Sequence, residues 1–449
     1  MKIKFLGAAG TVTGSSYVLT SARGQSIIID LGMFQGLPEI DELNYKPFEY
    51  ECHQLSGAIL THAHLDHCGR LPILLPRGFR GDIWMTSATQ ELTELSLLDS
   101  AKVAVQDDRQ ILFDKNLAND TFKHFRTTPY RMPVQMGDFT VTFRDAGHIL
   151  GSASLEIVDT HANSEIKKIV FSGDLGNSPE DLVHQTEFLD SADAVVMEST
   201  YGDRMHPDQI PADILQAEIN QVEKTQGVLL LPAFSLERTQ ELLHIIMHLK
   251  KDGKVLHSTP VYMDSPMGTK ATRIYRNHPE LLNTHTYDDL KAGDPFMFPG
   301  LEQVDSRSQS RGIHKKKGAK VIIAGSGMMM GGRIVGHAAH YLPISTTRLL
   351  IVGYQGEGTL GRELMEGATQ VNIEGKTVKV NGTVNDTQSM SSHADQQQLL
   401  DWLAHIKNVK KVILTHGEDN PREVLAGRIT KELGIGGVVT PHLHDEVTL

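Results

Sequence analysis

The sequence predicts an α/β protein of two domains, one assembled from both ends of the chain and the other inserted between them. Three observations lead there. The 449 residues exceed what one hydrophobic core usually serves. The N-terminal part, residues 1–205, reads as short β-runs broken by glycine-rich turns. From residue 206 to about 360, strand-like and helix-like segments alternate, the pattern of a parallel sheet with helices on both faces, and residues 361–449 return to short strands and turns.

Taken in order, residues 2–7, 16–19 and 26–30 are apolar and rich in β-formers, punctuated by Gly7, Gly10, Gly14 and Gly32. Residues 57–61 form a further strand, and a histidine cluster begins where it ends. Leu and Ala at helical spacing predict a helix over 90–105. Residues 139–144 and 168–172 read as strands that stop just short of His148 and Asp174, and 194–197 as one that ends at Glu198. In the inserted domain, strand-like 228–231, 260–263, 320–324 and 348–352 alternate with helical stretches such as 239–250. The last part predicts a helix over 396–406, a strand over 412–415 and a helix from about 421.

Composition excludes several classes. With 40% hydrophobic and 22% charged residues the chain is globular rather than disordered. No apolar run approaches the roughly 18 residues of a transmembrane helix. The opening Met1-Lys2-Ile3-Lys4-Phe5-Leu6-Gly7 lacks the pattern of a signal peptide, and no membrane contact is expected. Two cysteines, Cys52 and Cys68, are too few for a disulfide framework, so a reducing cytoplasm is the expected location, and Cys68 is expected to be a buried thiol. The net charge of −12 repels polyanions globally, so any nucleic-acid surface must be local. Residues 301–350 carry eight Lys/Arg against two Asp/Glu, densest at Arg307, Arg311, Lys315, Lys316, Lys317 and Lys320. A charge run by itself reads as a solvated face.

The strongest local signal is His62-Ala63-His64-Leu65-Asp66-His67. In extended backbone, residues two apart share a face, so His62 and His64 can aim at one metal, and a bend after them lets Asp66 and His67 serve a second. Imidazoles with a hard carboxylate suit zinc with an open position for water. Four residues cannot fill two sites. Three further candidates stand beside glycine at strand ends: His148 in Ala146-Gly147-His148, Asp174 in Ser172-Gly173-Asp174, and His416 in Thr415-His416-Gly417. Flanking glycine lets backbone approach a crowded centre.

Asp30, the cluster at 62–67, His148 and Asp174 stand in the order and spacing of the metallo-β-lactamase superfamily. The rest of the chain resembles its β-CASP branch, the nucleases that include RNase J and the endonuclease subunit of the pre-mRNA 3′-end cleavage factor. The matching pieces are Met197-Glu198-Ser199-Thr200-Tyr201-Gly202, Met390-Ser391-Ser392-His393-Ala394-Asp395 and Thr415-His416-Gly417-Glu418. The run Pro232-Ala233-Phe234-Ser235-Leu236-Glu237-Arg238-Thr239 looks like the entry to the first β-CASP helix, and Gly325-Ser326-Gly327-Met328-Met329-Met330-Gly331-Gly332-Arg333 like the family's glycine-rich loop.

This resemblance implies an αββα sandwich from residues 1–205 and 361–449, with a β-CASP α/β domain, a parallel sheet flanked by helices, inserted at 206–360. It implies two zinc ions, one held by His62, His64 and His148, the other by Asp66, His67 and His416. Asp174 bridges them, and Asp30 braces the loop of the cluster from behind. The implied reaction is hydrolysis of RNA phosphodiesters, for RNA processing or decay, by a hydroxide held between two zincs about 3.5–4 Å apart. Asp66, Glu198 and His393 are the implied catalytic residues, with His393 the general acid and Glu198 its support. His416 favours RNA, because relatives acting on DNA repair intermediates typically lack histidine there. Ser326, Gly327, Gly331, Arg333, Ser391 and Ser392 are candidate contacts to a single-stranded RNA, the glycine-rich turn through backbone N–H groups. At least one of Met328, Met329 and Met330 is expected in the core.

Other histidines are expected to be structural. His244 and His248 stand four apart on a helix, as zinc pairs do, yet no acid lies between them and the helix reads as amphipathic packing. His442 and His444 have ligand spacing with nothing beside them, and His337 and His340 follow the glycine loop. The rival readings are a small-molecule ester or thioester hydrolase on the same zinc site, a DNA nuclease, and a non-catalytic RNA-binding subunit. Glu198, His393, His416 and the long insertion weigh against them. Endonuclease and 5′-to-3′ exonuclease modes share these residues, and monomer and homodimer both remain open.

Overall fold

The computed structural model describes residues 1–106, 110–162, 165–177 and 182–449. By contacts the chain divides into two units, Met1–Met205 with His393–Leu449, and His206–Ser392.

The first unit is built on two seven-stranded sheets. One runs Glu446–Thr448, Lys2–Gly7, Ser16–Thr20, Ser26–Ile29, Leu55–Ile59, Ile83–Met85, Phe125–Thr127; the other Val438–Val439, Lys411–Thr415, Ala194–Glu198, Lys168–Phe171, Ala153–Asp159, Phe139–Asp145, Pro133–Met136. Side chains alternate between the two faces of each strand. Ile27, Ile29, Ile169, Phe171 and Val196 point into the core shared by the two sheets, together with Phe5, Tyr17, Phe139 and Phe143. Ile28 points the other way, into a cluster with Leu97 and Ala101 of the helix Ser87–Gln106. Val170, Val195 and Met197 likewise point outward, against Leu399, Trp402 and Leu403 of the helix Gln396–His405 and Leu425 of Asp419–Arg428. The layers are therefore α, β, β, α. Covering both faces explains why Ser26–Ile29 and Ala194–Glu198 read as continuous apolar runs instead of alternating ones. The helix Gln396–His405 starts at a capping box in which Asp395 accepts from the Gln398 N–H and the Gln398 side chain reaches back. Both cysteines are buried free thiols.

The second unit is a six-stranded sheet in the order Leu301–Gln303, Val261–Asp264, Lys320–Ala324, Val228–Pro232, Thr347–Ile351, Thr383–Asp386. Every pairing in it is parallel. Ile334, Val335, Ala338 and Tyr341 of the helix Gly332–Tyr341 cover one face against Leu230, Ile322 and Leu349. The helix Pro211–Thr225 lies against the same central strands, where Leu229 and Ile323 are also fully buried.

The inserted unit extends further than the sequence predicts. Texture alone returns the chain to the first domain at residue 361. The strand Thr383–Asp386 instead pairs with Thr347–Ile351, and the hairpin Gln370–Ile373 with Lys376–Lys379 adds Val371, Ile373 and Val378 to the second unit's core. Residues 361–392 thus go with the insertion; short strands marked a sheet edge, not a new domain. No helix among the described residues is long and apolar enough to cross a membrane.

Candidate metal centre

In the first unit the strands Ser26–Ile29 and Leu55–Ile59 run parallel, as do Lys168–Phe171, Ala194–Glu198 and Lys411–Thr415. Phe139–Asp145 runs the same way as Lys168–Phe171, since both are antiparallel to Ala153–Asp159. The carboxyl ends of these strands carry, just beyond or at their last residue, Asp30, His62, His64, His148, Asp174, Glu198 and His416. Strand direction therefore delivers to one place residues that are hundreds of positions apart in sequence.

Two donor groups result. His62, His64, His148 and Asp174 form one, and Asp66, His67 and His416 the other. Nδ1 of His64 lies 3.2 Å from Nε2 of both His62 and His148. Asp174 reaches both groups: its Oδ2 is 3.4 Å from His62 Nε2 and 3.3 Å from His67 Nε2, and its Oδ1 is 3.7 Å from His416 Nε2. His416 Nε2 is 3.4 Å from Asp66 Oδ2. Tetrahedral coordination at about 2.0–2.1 Å separates ligand atoms by roughly 3.3–3.4 Å, which these spacings match. Among the described residues the buried Asp174 Oδ1 has no hydrogen-bond partner, an expensive state for a carboxylate unless a cation satisfies it. The donor set, five imidazoles and two carboxylates, thus fits two borderline divalent ions such as zinc.

The nitrogens facing away from the donor groups are also held. Asp30, itself buried, accepts from the Thr61 N–H at 2.8 Å and the Thr61 hydroxyl at 2.9 Å, and its Oδ2 lies 2.7 Å from His67 Nδ1. This fixes the His67 proton on Nδ1 and leaves Nε2 free to ligate. Thr61 Oγ1 also lies 3.1 Å from His62 Nδ1, and Thr200 Oγ1 lies 3.1 Å from His416 Nδ1. Sequence reasoning missed Thr61 and Thr200; each sits next to, or two residues from, a residue that was singled out. Glycine is required where backbones meet. A Cβ on Gly32 would fall 1.5 Å from the Asp66 carbonyl oxygen, and one on Gly176 1.7 Å from that of Gly147, the residue before His148.

His393 enters the same site from the start of the second segment. Its Nδ1 lies 3.2 and 3.3 Å from the two oxygens of Glu198, a fully buried carboxylate that also accepts from the Leu175 N–H at 2.6 Å. Burial pulls the His393 imidazole toward neutrality. The charge and hydrogen bond of Glu198, helped by Asp174 and Asp66, outweigh it and push the group up to about 9. A nitrogen of His393 lies within 4.8 Å of donor atoms of Asp174 and His416. In the metal-free centre burial holds His64 down to about 4, and Asp66 is drawn down to about 2 because His416, His67 and His64 outweigh its own desolvation.

The remaining predicted site residues lie in the second unit. The Ser326 N–H points inward, to the Gly331 carbonyl at 3.3 Å, and Gly327 lies under Phe234, where a Cβ would fall 2.5 Å from the ring. The Arg333 guanidinium is engaged by the buried Asp264, by Val304 O at 2.7 Å and by Asp305 O at 2.7 Å, so it shapes the loop from inside. Met329 is in the core, Met328 half-buried and Met330 exposed. Ser391 is buried and Ser392 half-buried. Arg307, Arg311, Lys315, Lys316 and Lys317 are exposed, whereas Lys320 is buried in its strand and leaves the basic face. His337 binds Asp264 at 2.7 Å and His340 stacks on His314.

Comparison with known proteins agrees with this architecture. Residues 9–200 match the metallo-β-lactamase superfamily, 239–364 the Beta-Casp domain, and 377–441 a Zn-dependent metallo-hydrolase RNA specificity domain. Ribonuclease TTHA0252 of Thermus thermophilus is 36% identical over 93% of this chain and 94% of its own length. The transcription termination factor FttA of Methanosarcina mazei is 30% identical over 97% of this chain and 70% of its own. A crystal structure of a protein of unknown function from Enterococcus faecalis shares the fold, with a TM-score of 0.54 at 12% identity over 100% of this chain and 99% of that one. With its two sheets, its inserted parallel domain and its filled set of metal donors, the chain belongs to the β-CASP branch of the metallo-β-lactamase superfamily of metallo-hydrolases.

Proposed function

We propose that this chain is a zinc-dependent ribonuclease that cuts the phosphodiester backbone of single-stranded RNA in the cytoplasm. One observation carries the reading: the Glu198–His393 pair at 3.2 Å stands beside two donor groups that share Asp174. A hydrolase of small activated esters has no need of a buried carboxylate holding an imidazolium, because its leaving group departs unaided. A ribose 3′-alkoxide is a poor leaving group and needs a proton. The relative named as a ribonuclease and the matching RNA specificity domain point to the same polymer.

His62, His64 and His148 would hold one zinc, Asp66, His67 and His416 the other, with Asp174 shared. Bound there, the ions would supply Lewis acidity toward a phosphate oxygen and an activated water at neutral pH. Asp30 and Thr61 orient His67 and His62, and Thr200 orients His416. Glu198 accepts from His393 Nδ1–H and favours the charged ring, which would make Nε2–H available to the leaving oxygen. As a water oxygen bonds to phosphorus and the P–O3′ bond breaks, that proton goes to the ribose oxygen and the water's proton is released to solvent, so the products are a 5′-phosphate and a 3′-hydroxyl. The exposed Arg307, Arg311, Lys315, Lys316 and Lys317 supply a local basic surface for the backbone of the polymer in an otherwise acidic chain. Gly331, Ser391 and Ser392 remain the proposed phosphate contacts, with Ser326, whose N–H and hydroxyl both donate to the Gly331 carbonyl, Gly327 and Arg333 as supports of the loop.

The test is incubation of the zinc-loaded chain with end-labelled single-stranded RNA and the same sequence as DNA, beside an Asp174→Ala control. Cleavage of RNA that the control lacks is the expected result, and a ladder or released mononucleotides separates the endo from the exo mode. Cleavage of DNA alone, or of neither polymer by a chain holding its zinc, refutes the reading.

A further inference from the structure

A second cluster of metal-type donors lies in the inserted unit, well apart from the centre above in sequence. The helix Arg238–Lys251 presents His244 and His248, and the helix Thr284–Ala292 presents His285 and Asp289. Each pair is spaced i, i+4, which puts both members on one helical face. One donor atom from each of the four residues lies within 4.8 Å of the other three. Asp289 Oδ2 is 3.0 Å from His244 Nε2, 2.7 Å from His248 Nε2 and 3.8 Å from His285 Nδ1, and the two Nε2 atoms are 3.1 Å apart. Tetrahedral ligands of a zinc-sized ion stand about 3.3–3.4 Å apart, in the middle of this range.

We propose that His244, His248, His285 and Asp289 form a structural site for one divalent ion of the zinc type, which fastens the helix Thr284–Ala292 to the inserted unit. Three imidazoles and one carboxylate suit zinc and its neighbours and disfavour calcium and magnesium, which take oxygen ligands. Four protein donors close the tetrahedron, so the site is structural and not catalytic. The simpler alternative is that Asp289 merely accepts from two neutral imidazoles. It accounts for His244 and His248; the His285 ring also packs against both of theirs, at 5.6 and 5.1 Å between centroids, and brings a third imidazole nitrogen toward the same carboxylate oxygen. The site is also graded as an ion path requires: the His244 side chain is 1% exposed, Asp289 15%, His248 28% and His285 67%.

The helix itself supplies the need. It has nine residues, and Thr286 is its one buried residue. A helix of that length is marginal without tertiary contacts, and apolar burial does not provide them here. The sequence reading expects His244 and His248 to be packing, and in the structure His244 is buried and His248 half-buried. The acid it looked for between them arrives instead from a helix about forty residues later.

The experiment measures zinc by mass spectrometry in the full chain, after loading and removal of loosely held ion, beside the double variant His248→Ala/His285→Ala. The expected result is one zinc fewer per chain in the variant, with an unchanged circular dichroism spectrum. Because the comparison is a difference, it is independent of the nuclease reading. Should the double variant not fold, His285→Ala alone, at a largely exposed position, is tested for weaker retention of the same ion against a chelator. A second arm uses a chain whose main centre is disabled by His67→Ala/Asp174→Ala: added zinc should still raise its melting temperature, and should cease to do so when His248→Ala/His285→Ala is added. Equal zinc content in wild type and the double variant, or binding at this cluster only at millimolar zinc, overturns the proposal.

Discussion

Replacing Asp30 by Asn changes one atom in a residue that touches no metal, and it tests whether the centre depends on what stands behind its ligands. The buried carboxylate takes three hydrogen bonds: Oδ1 from the Thr61 N–H, Oδ2 from the Thr61 hydroxyl and from His67 Nδ1. Asparagine has the same shape but one acceptor atom. A backbone N–H can only donate, so the amide oxygen must stay toward Thr61 N, and the NH₂ then faces His67 Nδ1. His67 can accept there only by moving its proton to Nε2, the nitrogen that has to ligate. If the amide flips instead, the Thr61 N–H is left unpaired in the core. Losing a hydrogen bond to a charged group costs about 1.5–3 kcal/mol. At 1.4 kcal/mol per factor of ten, zinc held through His67 should bind roughly 10–100-fold more weakly, the range found for such supporting partners. The assay is competition with a chromophoric chelator, with circular dichroism of the stripped chain as a check on the fold. Zinc affinity within about twofold of wild type in a folded Asp30→Asn chain would refute the reasoning.

Three further outcomes follow from the same geometry. His393→Ala should keep its zinc and lose about 10²–10⁴-fold in kcat on RNA, and Glu198→Gln, which removes the main group raising the imidazole, should move the alkaline limb of the kcat–pH profile to lower pH; an unmoved limb counts against the acid role. Arg311→Glu with Lys317→Glu should weaken RNA binding and flatten the plot of log affinity against log salt by roughly 0.7 per lost phosphate contact, as read by fluorescence anisotropy at several salt concentrations. In the metal-free chain the His393 group is raised to about 9 from an unfolded value near 6.5, so its stabilisation is complete below pH 6.5 and is lost as pH rises through about 9. Melting temperatures of chelated protein should therefore fall across that window, and a flat profile would remove His393 from the account.

Much of this was legible in the sequence because the relevant patterns are local. The cluster from His62 to His67 needs only an extended segment and a bend, and the apolar runs at 26–30, 168–172 and 194–197 mark strands covered on both faces. What was illegible depends on pairing at a distance. Nothing in the texture of residues 361–392 says that Thr383–Asp386 adds an edge to the inserted sheet, because an edge strand and a strand of a new domain have the same composition. Arg333 reads as a phosphate contact beside a glycine loop until Asp264, some seventy residues earlier, is seen to hold it. No acid stands between His244 and His248 in their own helix, and the helix that brings Asp289 is too polar to stand out as core. Thr61 and Thr200 are ordinary residues in sequence and become significant only through the imidazole nitrogens they face.

The charges of the main centre also bear on what it can accept. Glu198 and a protonated His393 form a neutral pair beside the donor groups. In the proposed di-zinc centre Asp30, Asp66, Asp174 and the hydroxide between the ions would offset their four positive charges. Buried charge is costly unless it is matched, and such a centre is matched before a substrate arrives. It would then contribute little attraction along a polymer, and a chain of net charge −12 repels one, so on this reading the backbone beyond the scissile phosphate has to be met by a separate surface. The exposed Arg307, Arg311, Lys315, Lys316 and Lys317 are the surface proposed for it.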